Sequence, residues 1–160
     1  MDSKRIILCG HGASGKDYLR RKFEKRGYKF AVSHTTRAMR DGEEDGVEYH
    51  FISELKFGVM SLSGAFMEHV NFNGNSYGLS NEEFENGDIA ILNAAGIASL
   101  TTEQRWNSFV IFIDIPEGIR RQRLAGRISD EDVINRRINA DNKEFDRFED
   151  YDMIIYNPDF

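Results

Sequence analysis

Between Arg5 and Lys25 a short apolar run, a glycine-rich loop and an amphipathic stretch follow one another with no spacer. Ile6-Ile7-Leu8-Cys9 reads as a buried strand, and Gly10-His11-Gly12-Ala13-Ser14-Gly15-Lys16 has the spacing G-x-x-x-x-G-K. Asp17 to Lys25 follows as a helix with Leu19 and Phe23 on one face, and Gly27 stands where a glycine cap ends such a helix. A strand that turns directly into a helix through so little side chain points its loop N–H groups inward and aims a helix N-terminus at the same place. That is a phosphate cradle, the P-loop, with Lys16 supplying a mobile positive charge. The Ser or Thr that usually follows the lysine and ligates magnesium is here Asp17. Two readings of Asp17 stand: a metal contact, direct or through water, or a carboxylate that favours the helix N-terminus.

The rest of the chain alternates short β-type runs with helical periods, the pattern of an α/β fold. Strands are expected over Lys29 to Val32, Glu48 to Ile52, Phe66 to Phe72, Asp88 to Leu92, Ser108 to Asp114 and Asp152 to Tyr156. Phe109-Val110-Ile111-Phe112-Ile113 is apolar throughout and fits the centre of a parallel sheet covered on both faces. Pro116 starts a helix, and Asp130 to Phe148 reads as a long polar one. Trp106 and the strand phenylalanines are expected in the core. At 160 residues one domain is expected.

The net charge of −6 argues against nucleic acid as a partner. Cys9 is the only cysteine, so no internal disulfide forms, and as the end of a buried strand it is expected to be inert. No apolar run approaches the ~20 residues that span a bilayer, and the default expectation is a cytoplasmic protein without a membrane partner. His11, His34, His50 and His69 lack the spacing of a zinc site.

A second motif runs from Ser33 to Phe51. Arg37 and Arg40 are three residues apart, and two guanidinium forks at that spacing suit one dianionic phosphate, with the Tyr49 hydroxyl as a further donor. Gly42 and Gly46 permit the turns that fold the segment back. Asp41, Glu43, Glu44 and Asp45 crowd the same stretch, and on spacing alone a solvated charged loop stands as the alternative, lesser reading.

From Thr35 to Phe51 the sequence resembles the guanylate kinase signature T-[ST]-R-x-x-[KR]-x-x-[DE]-x-x-G-x-x-Y-x-[FY], and the resemblance covers almost the whole chain. It continues at Phe66-Met67-Glu68, Gly74-Asn75-Ser76-Tyr77-Gly78, Arg123-Leu124-Ala125-Gly126-Arg127, Asn135-Arg136-Arg137 and Asn157-Pro158-Asp159. The resemblance implies an α/β P-loop kinase fold with a mainly parallel central sheet flanked by helices, a small mixed acceptor-binding segment and a helical lid. It places the core in 1–32 and 81–160, the acceptor segment in 33–80 and the lid at about 123–137. It implies transfer of the ATP γ-phosphoryl group to GMP or dGMP, with Mg²⁺. Gly10, His11, Gly12, Ala13, Ser14, Gly15, Lys16, Asp17 and Asn157 would bind ATP, with Asp17 the metal candidate. Ser33, Arg37, Arg40, Glu43, Tyr49 and Tyr77 would hold the acceptor phosphate, and Glu68 would read a guanine ring. Lys16, Arg37, Arg123, Arg127 and Arg137 would stabilise the group in flight. The partners implied are small-molecule nucleotides, and the protein a monomer or homodimer.

Departures cluster where substrate is chosen. Leu79 stands where the family usually has Ser or Thr reading the base, and Asn93-Ala94-Ala95 where it usually has an Asp-x-Asp pair. The ribose 1,5-bisphosphate phosphokinases share the Gly-Lys-Asp loop and the Asn, but have largely lost the Arg–Arg–Tyr signature that this chain keeps with Glu68. A kinase for another or modified nucleotide, or for a sugar phosphate, is therefore the alternative. A non-catalytic guanylate-kinase-like binding module is disfavoured by the intact loop and Lys16.

Overall fold

The computed structural model describes residues 4–72 and 74–160. In chain order the strands are β1 (Arg5–Gly10), β2 (His34–Thr35), β3 (His50–Phe51), β4 (Phe66–Phe72), β5 (Asn75–Ser80), β6 (Ile89–Ile91), β7 (Ser108–Ile113) and β8 (Met153–Ile155). The helices are α1 (Lys16–Glu24), α2 (Glu54–Leu62), α3 (Asn81–Asn86), α4 (Ala94–Ala98), α5 (Thr102–Trp106), α6 (Glu117–Ala125) and α7 (Glu131–Glu144). The chain divides into two compact units, Met1–Tyr28 with Ile91–Phe160, and Lys29–Ala90.

The first unit holds β1, β7 and β8, which lie side by side in that order in a parallel sheet. β1 runs parallel to β7 from Arg5↔Ser108 to Gly10↔Ile113, and β7 parallel to β8 from Ile111↔Met153. Its apolar runs are mostly covered: Ile7, Leu8, Val110 and Ile113 are fully buried, each contributing about 1.5–3 kcal/mol of burial, whereas Phe109 at the start of β7 is exposed rather than in the core. Cys9 is buried with its thiol donating to the Ile111 carbonyl, and burial pushes that thiol up to about 12. A thiol so rarely ionised is inert. Asp130 caps α7 by accepting from the Asp132 and Val133 N–H groups. Leu124 of α6 and Ile134 and Ile138 of α7 form a buried cluster against which Ala13 and Ile128 pack. Trp106 is exposed rather than in the core, under the Lys4 ammonium. The capping box of Thr101 and Gln104 fixes a five-residue helix, too short to bury its last ring.

In the second unit β2 pairs in parallel with β3 and antiparallel with β5, which pairs antiparallel with β4. Lys29 to Val32 does not become a strand: a single bridge joins Phe30 to Ile89. The Asp88 and Glu83 carboxylates accept the Lys29 and Val32 N–H groups, so side chains take donors that a ladder would use. α2 was not evident in the sequence because Leu55, Val59 and Leu62 face solvent and blur the helical period. Its one buried side chain, Phe57, stacks on Phe66 with ring centroids 4.5 Å apart.

Paired residues in a sheet share a face. His34, His50, Gly78 and His69 therefore lie together on the α2 side, where His34 is 4.7 Å from His50 and 5.7 Å from Phe66 between ring centroids. Thr35, Phe51, Tyr77, Val70, Glu68 and Leu79 share the opposite face.

The histidines give the fold a pH dependence. Burial first, then the neighbouring His50, holds His34 below its ordinary value of 6.5, while burial first, then Arg120, does the same to His11. The Glu83 carboxylate opposes the effect at His34, and Asp114 and Asp141 oppose it at His11. Below pH about 6.5 the unfolded chain takes up protons that the folded chain refuses, so this stability is complete above that pH and is lost as pH falls through the lowered values. Calorimetric melts should show Tm steady from pH 8 to 7 and falling from 6.5 to 5. His34→Gln should flatten part of that fall; an unchanged slope would remove His34 as a cause.

Candidate active site

β1 delivers the glycine loop at the end of the parallel sheet. Gly10 has φ 141° and an added Cβ would stand 2.4 Å from the Ile113 carbonyl oxygen, so only glycine lets β1 pass so close to β7 at this point. Ala13 holds φ 60°, a left-handed conformation that costs an L-residue about 1–2 kcal/mol. Its packing on the Leu124, Ile134 and Ile138 cluster keeps it there. Gly15, also at positive φ, is the N-cap of α1 and leaves the helix's first N–H groups without a side-chain cap. Ser14 is fully buried and its hydroxyl has no partner among the described residues.

Lys16 folds back over the loop, its ammonium donating to the Gly10 carbonyl at 2.7 Å and the His11 carbonyl at 2.8 Å. Burial lowers its pKa, while Asp17 and Asp141 act in the opposite direction. His11 turns its ring inward, 5.1 Å from Phe145 and 5.9 Å from Phe112 between centroids. Its side chain thus packs beneath the loop, and its backbone carries its part of the cradle.

The three arginines expected in a lid differ in placement. Arg123 spans the loop and the terminal segment, donating at 3.1 Å to the Ala13 carbonyl and at 3.1 Å to the Pro158 carbonyl. Arg137 reaches Gly12, its Nε 2.9 Å from where a Cβ would stand. Arg127 is exposed. The exposed Asn157 accepts the Asp159 N–H through Oδ1. Asp141 and Glu144, not singled out in the sequence, also reach this end of the sheet: they accept the N–H groups of Gly12 and Ala94. Their spacing from Arg137 along one helical face was the available signal.

Asp17 lies in the first turn of α1, mostly exposed, with its carboxylate 3.3 Å from Arg20 Nε. Among the described residues no three His, Cys, Asp or Glu side chains cluster as a metal site. Mg²⁺ takes hard oxygen donors and is commonly held by one or two carboxylates together with phosphate oxygens and water; the Asp17 carboxylate at the head of α1 is a donor of that kind.

In the second unit Arg37 is the centre. Its guanidinium forks onto Glu43, at 3.0 Å to Oε2 and 2.7 Å to Oε1, and donates to the Ala38 carbonyl at 2.7 Å. It lies 5.5 Å from the ring centroids of both Tyr49 and Phe51. The Arg37 bond holds the Glu43 carboxyl below the usual carboxylate range. With side-chain exposures of 11% and 16% the pair is no solvated surface contact. Arg40 does not converge on it: its side chain is exposed, and its backbone N–H donates to Glu43. Tyr49 packs edge-on to Tyr77 at 5.9 Å. Ser33 accepts the His50 N–H through its carbonyl.

The two substrate-blurring positions have structural occupations. Leu79 is fully buried, and Asn93 is the N-cap of α4, its Oδ1 accepting the Gly96 N–H at 2.7 Å. Leu79 thus offers no exposed surface, while Asn93, half-buried, commits its side-chain oxygen to the cap.

A glycine loop closing a parallel strand, a half-buried lysine folded onto it and arginines at its rim define a P-loop phosphotransferase. The sequence model of the guanylate kinase family matches residues 2–160, and the chain belongs to that family. It is similar to the guanylate kinase of Vibrio parahaemolyticus, 38% identical over 165 aligned positions that take in 97% of this chain and 80% of that protein. The guanylate kinase of Pseudomonas fluorescens is 36% identical, with 96% of this chain and 79% of the relative covered. The crystal structure of guanylate kinase from Anaplasma phagocytophilum matches with a TM-score of 0.72 at 25% identity, over 99% of this chain and 79% of that one. No helix among the described residues is long and apolar enough to cross a membrane.

Proposed function

We propose that the protein transfers the γ-phosphoryl group of ATP to GMP or dGMP, giving ADP and the guanosine diphosphate. The observation that carries the reading is the face shared by Glu68, Tyr77 and Phe51, with Arg37 seated over the Phe51 ring. A carboxylate that accepts from ring N–H and amino groups and a cation that binds a phosphate thus belong to one surface, as a purine monophosphate needs. Among the described residues the bonds of Arg37 to Glu43 and Ala38 use three of its five N–H donors, which leaves two for phosphate oxygens.

In this reading the loop amides and the α1 N-terminus hold the ATP phosphates, and Lys16 moves from the two carbonyls to the transferring group. Arg123 and Arg137 offset charge at the loop rim. Mg²⁺, when bound, neutralises phosphate charge, with Asp17 as its protein contact. The acceptor phosphate oxygen is already ionised, so no side chain need remove a proton, and positioning with charge stabilisation supplies the catalysis. The burial of Leu79 and the capping role of Asn93 support a guanine acceptor, because both departures answer to packing rather than to a new substrate.

A coupled ADP-release assay across GMP, dGMP, AMP, dAMP, the pyrimidine monophosphates and ribose 1,5-bisphosphate tests the proposal. Activity is expected with GMP and dGMP alone. Glu68→Gln should reduce kcat/KM for GMP by about 10²-fold with ATP affinity unchanged. An unaltered ranking of bases in that variant would make Glu68 structural, and activity on ribose bisphosphate alone would refute the guanine reading.

A further inference from the structure

The loop that is to receive a polyphosphate already carries a protein anion. Asp141 of α7 places Oδ2 2.7 Å from the Gly12 amide nitrogen and accepts its proton. Charge-assisted bonds of this kind are roughly twice as strong as neutral ones. The approach is close enough to dictate residue type: a Cβ on Gly12 would stand 2.7 Å from that oxygen and 2.9 Å from Arg137 Nε. α7 is held there by two further contacts. Ile134 and Ile138 pack with Leu124 against Ala13 inside the loop, and Glu144, on the same helical face, accepts the Ala94 N–H at 3.1 Å.

A loop of inward N–H groups favours any anion, and a carboxylate on a neighbouring helix satisfies it as a phosphate oxygen does. The two anions also repel each other across a partly buried site, where screening is weak. We propose that Asp141 is an internal competitor of the nucleotide's phosphate chain, so that ATP entry must loosen the Asp141–Gly12 bond and this cost sets ATP affinity. The inference rests on the ATP-binding reading above. It makes Asp141 an affinity-determining residue, neither a metal ligand nor a catalytic one. The same carboxylate favours the charged form of Lys16. The bond also pins α7, which carries Arg137, to the loop until phosphate takes its place.

Isothermal titration of ATP with Mg²⁺ into the wild type, Asp141→Asn and Asp141→Ser tests this. Both variants should bind about tenfold more tightly, the size of one charge-assisted contact. That advantage should shrink as NaCl rises from 0.05 to about 0.5 M. If folded variants bind ATP no better than the wild type, or more weakly, Asp141 is a structural clasp and the proposal fails. A wild type that binds no ATP overturns the ATP reading and this inference together, whereas wild-type binding without a gain in either variant overturns this inference alone. Should both variants unfold, the wild type decides: competition requires that its native Asp141–Gly12 amide signal change on ATP binding, and an unperturbed signal at saturation refutes it.

Discussion

Lys16→Ala is expected to lower turnover by about 10³-fold while the protein stays folded, the loss typical when a preorganised group aimed at transition-state charge is removed. The ammonium is the one cation in the loop itself, and it rests on the Gly10 and His11 carbonyls. Under the proposed mechanism ATP draws the ammonium away from these two carbonyls to its phosphates. Truncation leaves two carbonyl oxygens short of a donor, at a cost of about 1–3 kcal/mol for a buried group. It also removes a cation whose burial is itself unfavourable, as its lowered pKa shows. The two effects oppose each other, so Tm should move by only a few degrees. Steady-state assays with GMP, paired with circular dichroism melts, check both halves. Turnover within tenfold of wild type would exclude the P-loop lysine from the chemistry, and the proposed mechanism with it.

What the sequence disclosed follows from the range of the interactions involved. The glycine loop and β1 are local, and the strand, turn and helix appear where the residues place them. β4 runs from Phe66 to Phe72, as read, because its β-rich run is bounded by Ala65 and the turn at Gly74. β2 is different: two residues, His34 and Thr35, pair on both sides and carry too little pattern to be seen alone. The Arg37–Glu43 fork lay within the recognised motif, but not its inversion of roles. Glu43 engages the guanidinium, while Arg40, expected to converge on the same phosphate, faces solvent. The Asp141–Gly12 contact joins residues 129 apart in sequence and could not be read from either segment. The structural parts of Leu79 and Asn93 stayed hidden for a related reason: burial and helix capping are tertiary outcomes, and a comparison of motifs records only which residue stands there.

Arg37→Lys should reduce kcat/KM for GMP by about 10²–10⁴-fold and leave ATP affinity intact. The variant keeps the charge and removes the fork, so it separates geometry from electrostatics. Arg37 is held on three sides: by Glu43 through two N–H groups, by the Ala38 carbonyl, and by the rings of Tyr49 and Phe51. That frame fixes the plane of the guanidinium before any acceptor arrives, and the two uncommitted donors therefore meet a phosphate without further ordering. Hydrogen bonds to charged groups contribute about 1.5–3 kcal/mol each, and losing two gives the expected range at 1.4 kcal/mol per tenfold. A lysine, with one point charge on a flexible stem, satisfies Glu43 or the phosphate but not both in the same plane. Glu43→Gln provides the complementary test, since it weakens the frame without touching the cation. If Glu43 orients Arg37, KM for GMP rises in that variant; if Glu43 merely competes for Arg37, as Asp141 is proposed to compete at the loop, KM falls. Isothermal titration of GMP alongside the kinetics distinguishes the two, and an acceptor affinity unmoved by Arg37→Lys would relegate the whole aromatic-boxed ion pair to holding the segment together.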